Sequence, residues 1–280
     1  MTLSHLAARV QGRYQRSAAR FLFKRPFVIN SQVPLISFTF DDFPRSALLT
    51  GGAILKRFGL SGTYYASFGL MGKKASTDLM FLAEDIAAVL EQGHELGCHT
   101  FAHCHSWETR ATVFERSVVE NGLVLDRLFP GAKFRTLAYP ISPPRPETKR
   151  SIARHFACCR GGGQTFNVGT ADLSHLSAYF MEQSRDAPEM LRNVIEQNRG
   201  ARGWLIFATH DICKDPTPFG CTPEFFESIV RCAVDSGATI LPVIRALEML
   251  RASDSRSRGT LQPAQLMLRP IGGDGGGDEE

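Results

Sequence analysis

The sequence has little excess charge, no internal repeat and no long apolar run. Its 280 residues include 32 Lys and Arg against 28 Asp and Glu, a formal net charge of +4. Proteins whose main partner is nucleic acid neutralise many phosphates with basic side chains, so this balance excludes nucleic acid as the expected main partner. No run of about 18 apolar residues is present, which argues against a transmembrane helix. The hydrophobic content of 43% instead suits one large domain with a sizeable core.

The cysteines form no recognisable disulfide or metal framework. There are seven, an odd number, and no CxxC pair occurs. A structural zinc site on Cys98 and Cys104 lacks a second pair of Cys or His ligands at suitable spacing. We therefore expect reduced, mostly buried thiols. Because the N-terminal region also lacks the apolar segment of a secretory signal, we predict a cytoplasmic location.

The first 25 residues contain no acidic residue but six basic ones: Arg9, Arg13, Arg16, Arg20, Lys24 and Arg25. Apolar residues recur among them at helical spacing: Leu3, Leu6, Val10 and Tyr14. Two interpretations are open. The segment is either a solvated helix that packs on the domain or frays, or a basic amphipathic helix in weak peripheral contact with an anionic membrane.

From Leu35 onward, short apolar runs alternate with longer segments of helical periodicity, the pattern of repeated βα units with parallel strands. Strands are predicted at residues 35–40, 62–66, 94–99, 136–139, 156–159, 204–209 and 239–241. Helices are predicted at residues 46–58, 78–92, 107–128, 146–155, 188–199 and 223–236. The glycine-rich stretch 160–174 is predicted to be an irregular loop.

This pattern predicts a single α/β catalytic domain over residues 35–251. Residues 1–34 form the basic N-terminal segment that precedes it. Residues 252–280 are rich in Ser, Arg, Gly and Pro and end in GGDGGGDEE. Because such a composition buries little apolar surface, we predict that this tail is disordered.

Polar residues follow three of the predicted strands, at the ends where parallel α/β folds place their active sites. The first strand runs directly into Asp41 and Asp42. Two adjacent carboxylates repel each other, so an enclosed pair needs a nearby cation or a shared proton. An exposed acidic turn that caps the next helix is the alternative.

The second strand end carries His99 and His103, four residues apart. Residues at this spacing share one face of a helical turn, so both imidazoles can bind one metal ion. His94 begins the strand and His105 lies off this face, so neither is expected to be a ligand. The third strand end carries His210, for which a buried structural role is the alternative.

Together these elements resemble the polysaccharide deacetylases, carbohydrate esterase family four. Four motifs occur in the family's order: TFDD at Thr39–Asp42, HTFAH at His99–His103, AYP at Ala138–Pro140 and ATHD at Ala208–Asp211. The resemblance extends over about residues 35–250. It implies a distorted, incomplete (β/α) barrel of about seven parallel strands.

The resemblance also implies roles for five residues. Asp42, His99 and His103 would hold one divalent metal ion, with zinc expected, while Asp41 would be the catalytic base and His210 the general acid. Such a division is chemically sound, because three protein ligands leave positions open for water and substrate.

The chain departs from the family pattern around Pro140. Many members carry an arginine two residues before this proline that pairs with the base, whereas this chain has Ala138. Either Arg135 or Arg160 could supply the positive charge. Pro140 has no N–H, so the amide of Ile141 is the expected oxyanion donor.

The predicted substrate or oxyanion contacts are Tyr139, Pro140 and Ile141. The expected function is therefore removal of an acetyl group from an N-acetylated sugar in polysaccharide or glycoconjugate metabolism, with a saccharide as substrate. Two alternatives stay open. The same fold and metal could hydrolyse a small non-sugar amide, or the chain could be an inactive binding module.

Overall fold

A computed structural model describes residues 3–259. Within these residues the strands are β1 (Pro26–Ile29), β2 (Leu35–Phe40), β3 (Thr63–Ala66), β4 (Lys74–Ala75), β5 (Asp78–Leu79), β6 (Glu95–Cys98), β7 (Thr136–Ala138), β8 (Cys158–Arg160), β9 (Gly169–Asp172), β10 (Tyr179–Phe180), β11 (Trp204–Thr209) and β12 (Thr239–Ile240). The α-helices are α1 (Leu3–Phe21), α2 (Ala53–Arg57), α3 (Ala83–Glu91), α4 (Ala111–Leu128), α5 (Pro146–Ile152), α6 (Pro188–Ala201), α7 (Pro223–Asp235) and α8 (Val243–Gly259).

Eight strands form one parallel sheet in the order β10, β11, β2, β3, β6, β7, β8, with β12 paired to the start of β2. Strand β11, the last long strand in the sequence, is hydrogen-bonded to β2, the first long strand. At the far edge, Arg160 of β8 forms an isolated bridge with Leu176, a few residues before β10. The sheet therefore curls into the predicted incomplete (β/α) barrel, with one strand more than expected.

The central strands are buried along their whole length and mostly apolar, because both faces of the sheet are covered. All six residues of β2 and all six of β11 are buried. The rings of Phe38 and Phe207 stack across these two strands with centroids 5.5 Å apart. Burying one such side chain contributes about 1.5–3 kcal/mol. Such a mostly apolar stretch is typical of parallel strands and made both elements predictable.

One predicted helix starts with a different geometry, and another begins later than expected. The segment predicted to be helical from residue 46 starts as a π-helical stretch, Ala47–Gly52, before α2. The segment predicted from residue 78 begins instead with β5, which pairs antiparallel with the preceding strand β4. The α3 helix begins only at Ala83, where Asp85 Oδ2 accepts the N–H of Leu82 at 2.8 Å. This local side-chain hydrogen bond fixes the helix start.

Strand β9 corrects the prediction of an irregular loop over residues 160–174. It pairs antiparallel with β1, from Pro26 opposite Asp172 to Ile29 opposite Gly169. This pairing also attaches the end of the N-terminal segment to the domain, so the predicted boundary at residue 34 does not separate two structural units.

Helix α8 corrects the boundary predicted for the tail. Its first turns bury Val243, Ala246, Leu247 and Leu250, and the helix continues to Gly259, past the expected start of the tail at residue 252. Each residue added to a formed helix gains one hydrogen bond. The helix can therefore continue through polar residues beyond its packed turns. The rest of the predicted tail lies outside the described residues. Within residues 3–259, no helix is both long and apolar enough to span a membrane.

Candidate active site with a possible metal centre

Three side chains from the ends of two strands, β2 and β6, converge at the carboxyl edge of the sheet. Asp42 follows β2, and His99 and His103 follow β6. Their ligand atoms all lie within 4.8 Å of one another. Asp42 Oδ1 is 2.9 Å from His103 Nε2 and 3.4 Å from His99 Nε2. The sequence therefore selected three residues that the fold brings together.

The two histidines reach this position without a helical turn. Thr100 has a φ of 61° and His103 a φ of 49°, so the chain after β6 turns through left-handed residues. The Cys104 N–H donates to Thr100 Oγ1 at 2.9 Å and closes the turn. The predicted convergence holds, but the predicted helical geometry is wrong. Such backbone strain is common where a site needs a fixed orientation.

His99 is oriented by the last residue of β7. Its Nδ1 lies 2.9 Å from the carbonyl oxygen of Ala138, which can only accept, so Nδ1–H donates and Nε2 keeps its lone pair. That lone pair faces Asp42. A backbone or carboxylate acceptor behind the ring is the usual support of a metal-binding histidine.

The donor set fits a divalent metal ion. Asp42 Oδ2 accepts from Thr77 Oγ1 at 3.0 Å, whereas the buried Oδ1 has no hydrogen-bond partner of good geometry among the described residues. Burial raises the pKa of Asp42, but His103 and His99 beside it lower it well below the usual value of 3.8. An ionised carboxylate oxygen and two imidazole nitrogens are ligands that zinc accepts.

Asp41 has a different partner. Its carboxylate is hydrogen-bonded to the guanidinium of Arg160, which is 1% exposed. The guanidinium lies 4.9 Å from the ring centroid of Tyr65 and 5.8 Å from that of Phe180. Burial raises the pKa of Asp41, but Arg160, followed by His99 and His210, lowers it below the ordinary 3.8. The acid is therefore ionised.

The structure distinguishes between the two candidate arginines. Arg135 Nη1 lies 2.5 Å from Glu248 Oε1 on α8, and its side chain is 51% exposed. Arg160 ends β8 and contacts Asp41 directly. The expectation for Arg135 is therefore wrong. Sequence spacing could not decide this, because the contact joins residues 119 positions apart.

His210 follows β11, beside β2, and stands close enough to Asp41 for its charge to act on that carboxylate after the larger effects of burial, Arg160 and His99. Its Nδ1 lies 3.2 Å from the carbonyl oxygen of Phe219. The carbonyl can only accept, so Nε2 is the ring nitrogen left to exchange a proton with a substrate. The imidazole is thus not the fully buried structural group of the alternative.

The Pro140 loop contributes backbone groups. Pro140 is buried, and its carbonyl oxygen accepts from Ser106 Oγ at 2.8 Å. Ile141 has a φ of 67° and is 64% exposed. Its N–H donates no hydrogen bond within the described part of the chain. This amide is available for the oxyanion role that the resemblance implies.

Tyr139 does not face the substrate side. Its side chain is buried among the apolar residues between the sheet and the helices, with its ring centroid 6.2 Å from that of Phe114. Alternation along β7 explains this, because Ala138 and Tyr139 point to opposite faces of the sheet. The predicted substrate contact through this side chain is therefore wrong.

Two residues near the site were not anticipated. Thr77, in the β4–β5 turn, donates to Asp42, and nothing in its local sequence marks this. Glu182 follows β10; burial raises its pKa to about 7, and the charge of Asp41 adds to this. Active-site residues of parallel α/β folds follow the carboxyl ends of strands, so Glu182 would have been a candidate if the two-residue strand β10 had been recognised.

The comparisons with known proteins agree with this geometry. The sequence model described as polysaccharide deacetylase matches residues 29–156. The resemblance to the polysaccharide deacetylase family is confirmed. No curated protein matches the chain.

Solved structures share the polysaccharide deacetylase fold at low identity. A family four acetyl xylan esterase from Clostridium thermocellum, in complex with a cobalt ion, is 18% identical with a TM-score of 0.54, over 77% of this chain and 91% of that one. A mutant peptidoglycan deacetylase from Bacillus subtilis is 14% identical with a TM-score of 0.55, over 83% and 98%. A family four pseudoenzyme from Bacillus anthracis is 10% identical with a TM-score of 0.53, over 78% and 66%. Because a pseudoenzyme shares the fold, the fold alone does not assign activity.

Proposed function

We propose that this protein is a metal-dependent deacetylase that hydrolyses the N-acetyl group of a sugar. The observation that carries the proposal is the contrast between two adjacent carboxylates. Asp42 presents a buried, unpartnered oxygen to His99 and His103, while Asp41 is paired with Arg160. One carboxylate is thus suited to bind a cation and its neighbour to accept a proton.

Asp42, His99 and His103 would hold the ion, for which zinc suits the ligands best. When bound, such an ion lowers the pKa of a coordinated water and polarises the acetyl carbonyl. Asp41 accepts the proton of the attacking water, and Arg160 keeps this carboxylate ionised and oriented. The Ile141 N–H donates to the developing oxyanion, and His210 protonates the departing amine.

The proposed location is the cytoplasm. All seven cysteines are free, and four of them, Cys98, Cys158, Cys159 and Cys221, are buried. Free thiols in this number support a reducing compartment. The proposed substrate is accordingly an acetylated sugar intermediate of polysaccharide or glycoconjugate synthesis.

The proposal is tested by acetate release. The full chain, loaded with zinc and assayed for metal content, is incubated with N-acetylated monosaccharides, oligosaccharides and nucleotide-linked sugars, and with small non-sugar amides. We expect acetate from at least one N-acetylated sugar. Hydrolysis of the small amides alone would assign the site to an amidase. A chain that binds one ion per molecule and hydrolyses nothing in the panel would instead be a binding module.

A further inference from the structure

Helix α1 carries an apolar stripe that faces solvent. Val10 is 60% exposed, Tyr14 64% and Phe21 62%. These residues are separated by four and seven positions, which places them on one side of an α-helix. The stripe continues beyond the helix end through Leu22 and Phe23, each 46% exposed. Exposed apolar residues in such a row indicate an interaction surface.

A neighbouring side of α1 is held against the domain. Ala18 and Ala19 are buried. The buried ammonium group of Lys149 donates to the carbonyl oxygens of Ala19 and Leu22, each at 2.7 Å, and pairs with Asp172 at 2.5 Å. This anchorage fixes which side of the helix faces the core, so the exposure of the stripe follows from the docking of α1.

Basic side chains border the stripe. Arg13, Arg16 and Arg20 are exposed. Successive residues of an α-helix are rotated by about 100°, which places these arginines on one flank of the stripe and the buried alanines on the other. Lys24 follows, with its Nζ 5.2 Å from the ring centroid of Phe21. The first acidic residue of the chain is Asp41, so α1 contains no negative charge.

We propose that α1 is an interfacial helix that binds an anionic lipid surface. An apolar stripe beside a purely basic one is the arrangement of helices that lie in the plane of a membrane interface. The apolar side chains would enter the acyl boundary while the arginines contact lipid phosphates. Binding should depend on both groups, because attraction to anionic lipid and burial of apolar area contribute separately.

The lipid-binding side also borders the candidate active site. The ring of Tyr14 contacts that of Trp107 edge-on, with centroids 5.9 Å apart. The backbone N–H of Trp107 donates to Ser142 Oγ at 3.0 Å, and the hydroxyl of the preceding residue, Ser106, donates to the carbonyl oxygen of Pro140. A lipid-bound α1 would therefore hold the Pro140 loop of the candidate active site near the membrane. This point rests on the proposed function and favours a sugar at the membrane surface as substrate, whereas lipid binding itself does not depend on catalysis.

The test is cosedimentation of the full chain with vesicles of phosphatidylcholine alone and of phosphatidylcholine with phosphatidylserine. We expect binding to the anionic vesicles that weakens in high salt, as the Debye length falls to about 3 Å at 1 M. The variant R13Q/R16Q/R20Q should bind about a hundredfold more weakly, since each basic residue near an anionic surface changes partitioning about fivefold. The variant V10S/F21S should also bind more weakly, in low and high salt alike.

Matched controls separate α1 from general charge and hydrophobicity. K56Q/R127Q/R192Q removes the same net charge from exposed residues of three other helices, and V113S/L123S removes exposed apolar side chains from α4. Both controls should bind like the parent, and circular dichroism melting should show all variants folded. Equal binding by the parent and both α1 variants would overturn the proposal, as would equal binding to neutral and anionic vesicles. Retention on duplex DNA through the same arginines without vesicle binding would assign this face to nucleic acid instead.

Discussion

Asp41 and Asp42 are adjacent in sequence but differ in electrostatic surroundings. A β-strand points successive side chains to opposite sides, and here the chain also turns, since Asp42 has a φ of 59°. One carboxylate therefore meets the guanidinium of Arg160, and the other meets two imidazoles. Both are ionised, but among the described residues only Asp42 of the two has a fully buried oxygen without a hydrogen-bond partner. The separation of roles thus follows from what surrounds each residue.

This separation predicts different losses for two substitutions. Asp41→Asn should retain the metal ion while the rate falls about 10²–10⁴-fold, because the variant deletes a base and no ligand. His103→Ala should lose the ion itself. Metal content measured by mass spectrometry, together with acetate release, tests both variants in the same preparations.

His105→Ala is the matched control, because this histidine is close in sequence but outside the group of three. It should keep its metal. If Asp41→Asn lost the ion and regained turnover in excess metal, the roles of the two aspartates would have to be exchanged.

At the scale of elements, the strands marked by their own local sequence were predictable, and the strands that depend on distant pairing partners were not. Strands β2 and β11 were predicted with their observed bounds, because six buried residues in a row leave a mostly apolar stretch in the local sequence. Strands β9 and β10 were missed, since their pairing depends on partners far away in sequence. Three strand ends with polar residues sufficed to locate the candidate site. The sequence left two candidate partners of Asp41, Arg135 and Arg160, and could not distinguish them, because the curl of the sheet is what brings β8 to Asp41.

The β3–β6 pair contains a buried neutral histidine that makes stability depend on pH. His94 Nδ1 accepts the Gly62 N–H at 3.0 Å, at the start of both strands. Burial, and secondly the charge of Lys56, lowers the pKa of His94 from 6.5 to about 4. The unfolded chain therefore binds this proton at higher pH than the folded one.

We predict that the free energy of unfolding falls as the pH is lowered from about 6.5 to about 4. The contribution of His94 is roughly 3 kcal/mol, from 1.36 kcal/mol per pKa unit. Burial also lowers the pKa of His175 to about 4, so that His94→Asn should flatten only part of the dependence. Urea unfolding of parent and variant across this range measures the difference. Parallel curves for the two proteins would contradict the assignment.

For the whole molecule, the candidate site exists only when the barrel has formed. Its residues come from strand ends spread over residues 41 to 210, and Arg160 reaches Asp41 from the far edge of the sheet. The barrel itself is stabilised by its apolar core, because β2 and β11 are buried along their whole length. The metal ligands should therefore be preorganised by the fold without being needed to form it.

This arrangement predicts that chelation removes activity and leaves the fold intact. After dialysis against a chelator, the far-ultraviolet circular dichroism spectrum should be unchanged and acetate release abolished. Zinc should then raise the melting temperature by several degrees, because a ligand at a hundred times its Kd stabilises the folded state by about 2.7 kcal/mol. Such a stabilisation shifts Tm by about 2–4 °C per kcal/mol in a protein of this size. His103→Ala should melt at the same temperature with and without zinc. A parent protein that unfolds on chelation would show instead that the ion is structural, and the preorganised site described above would be wrong.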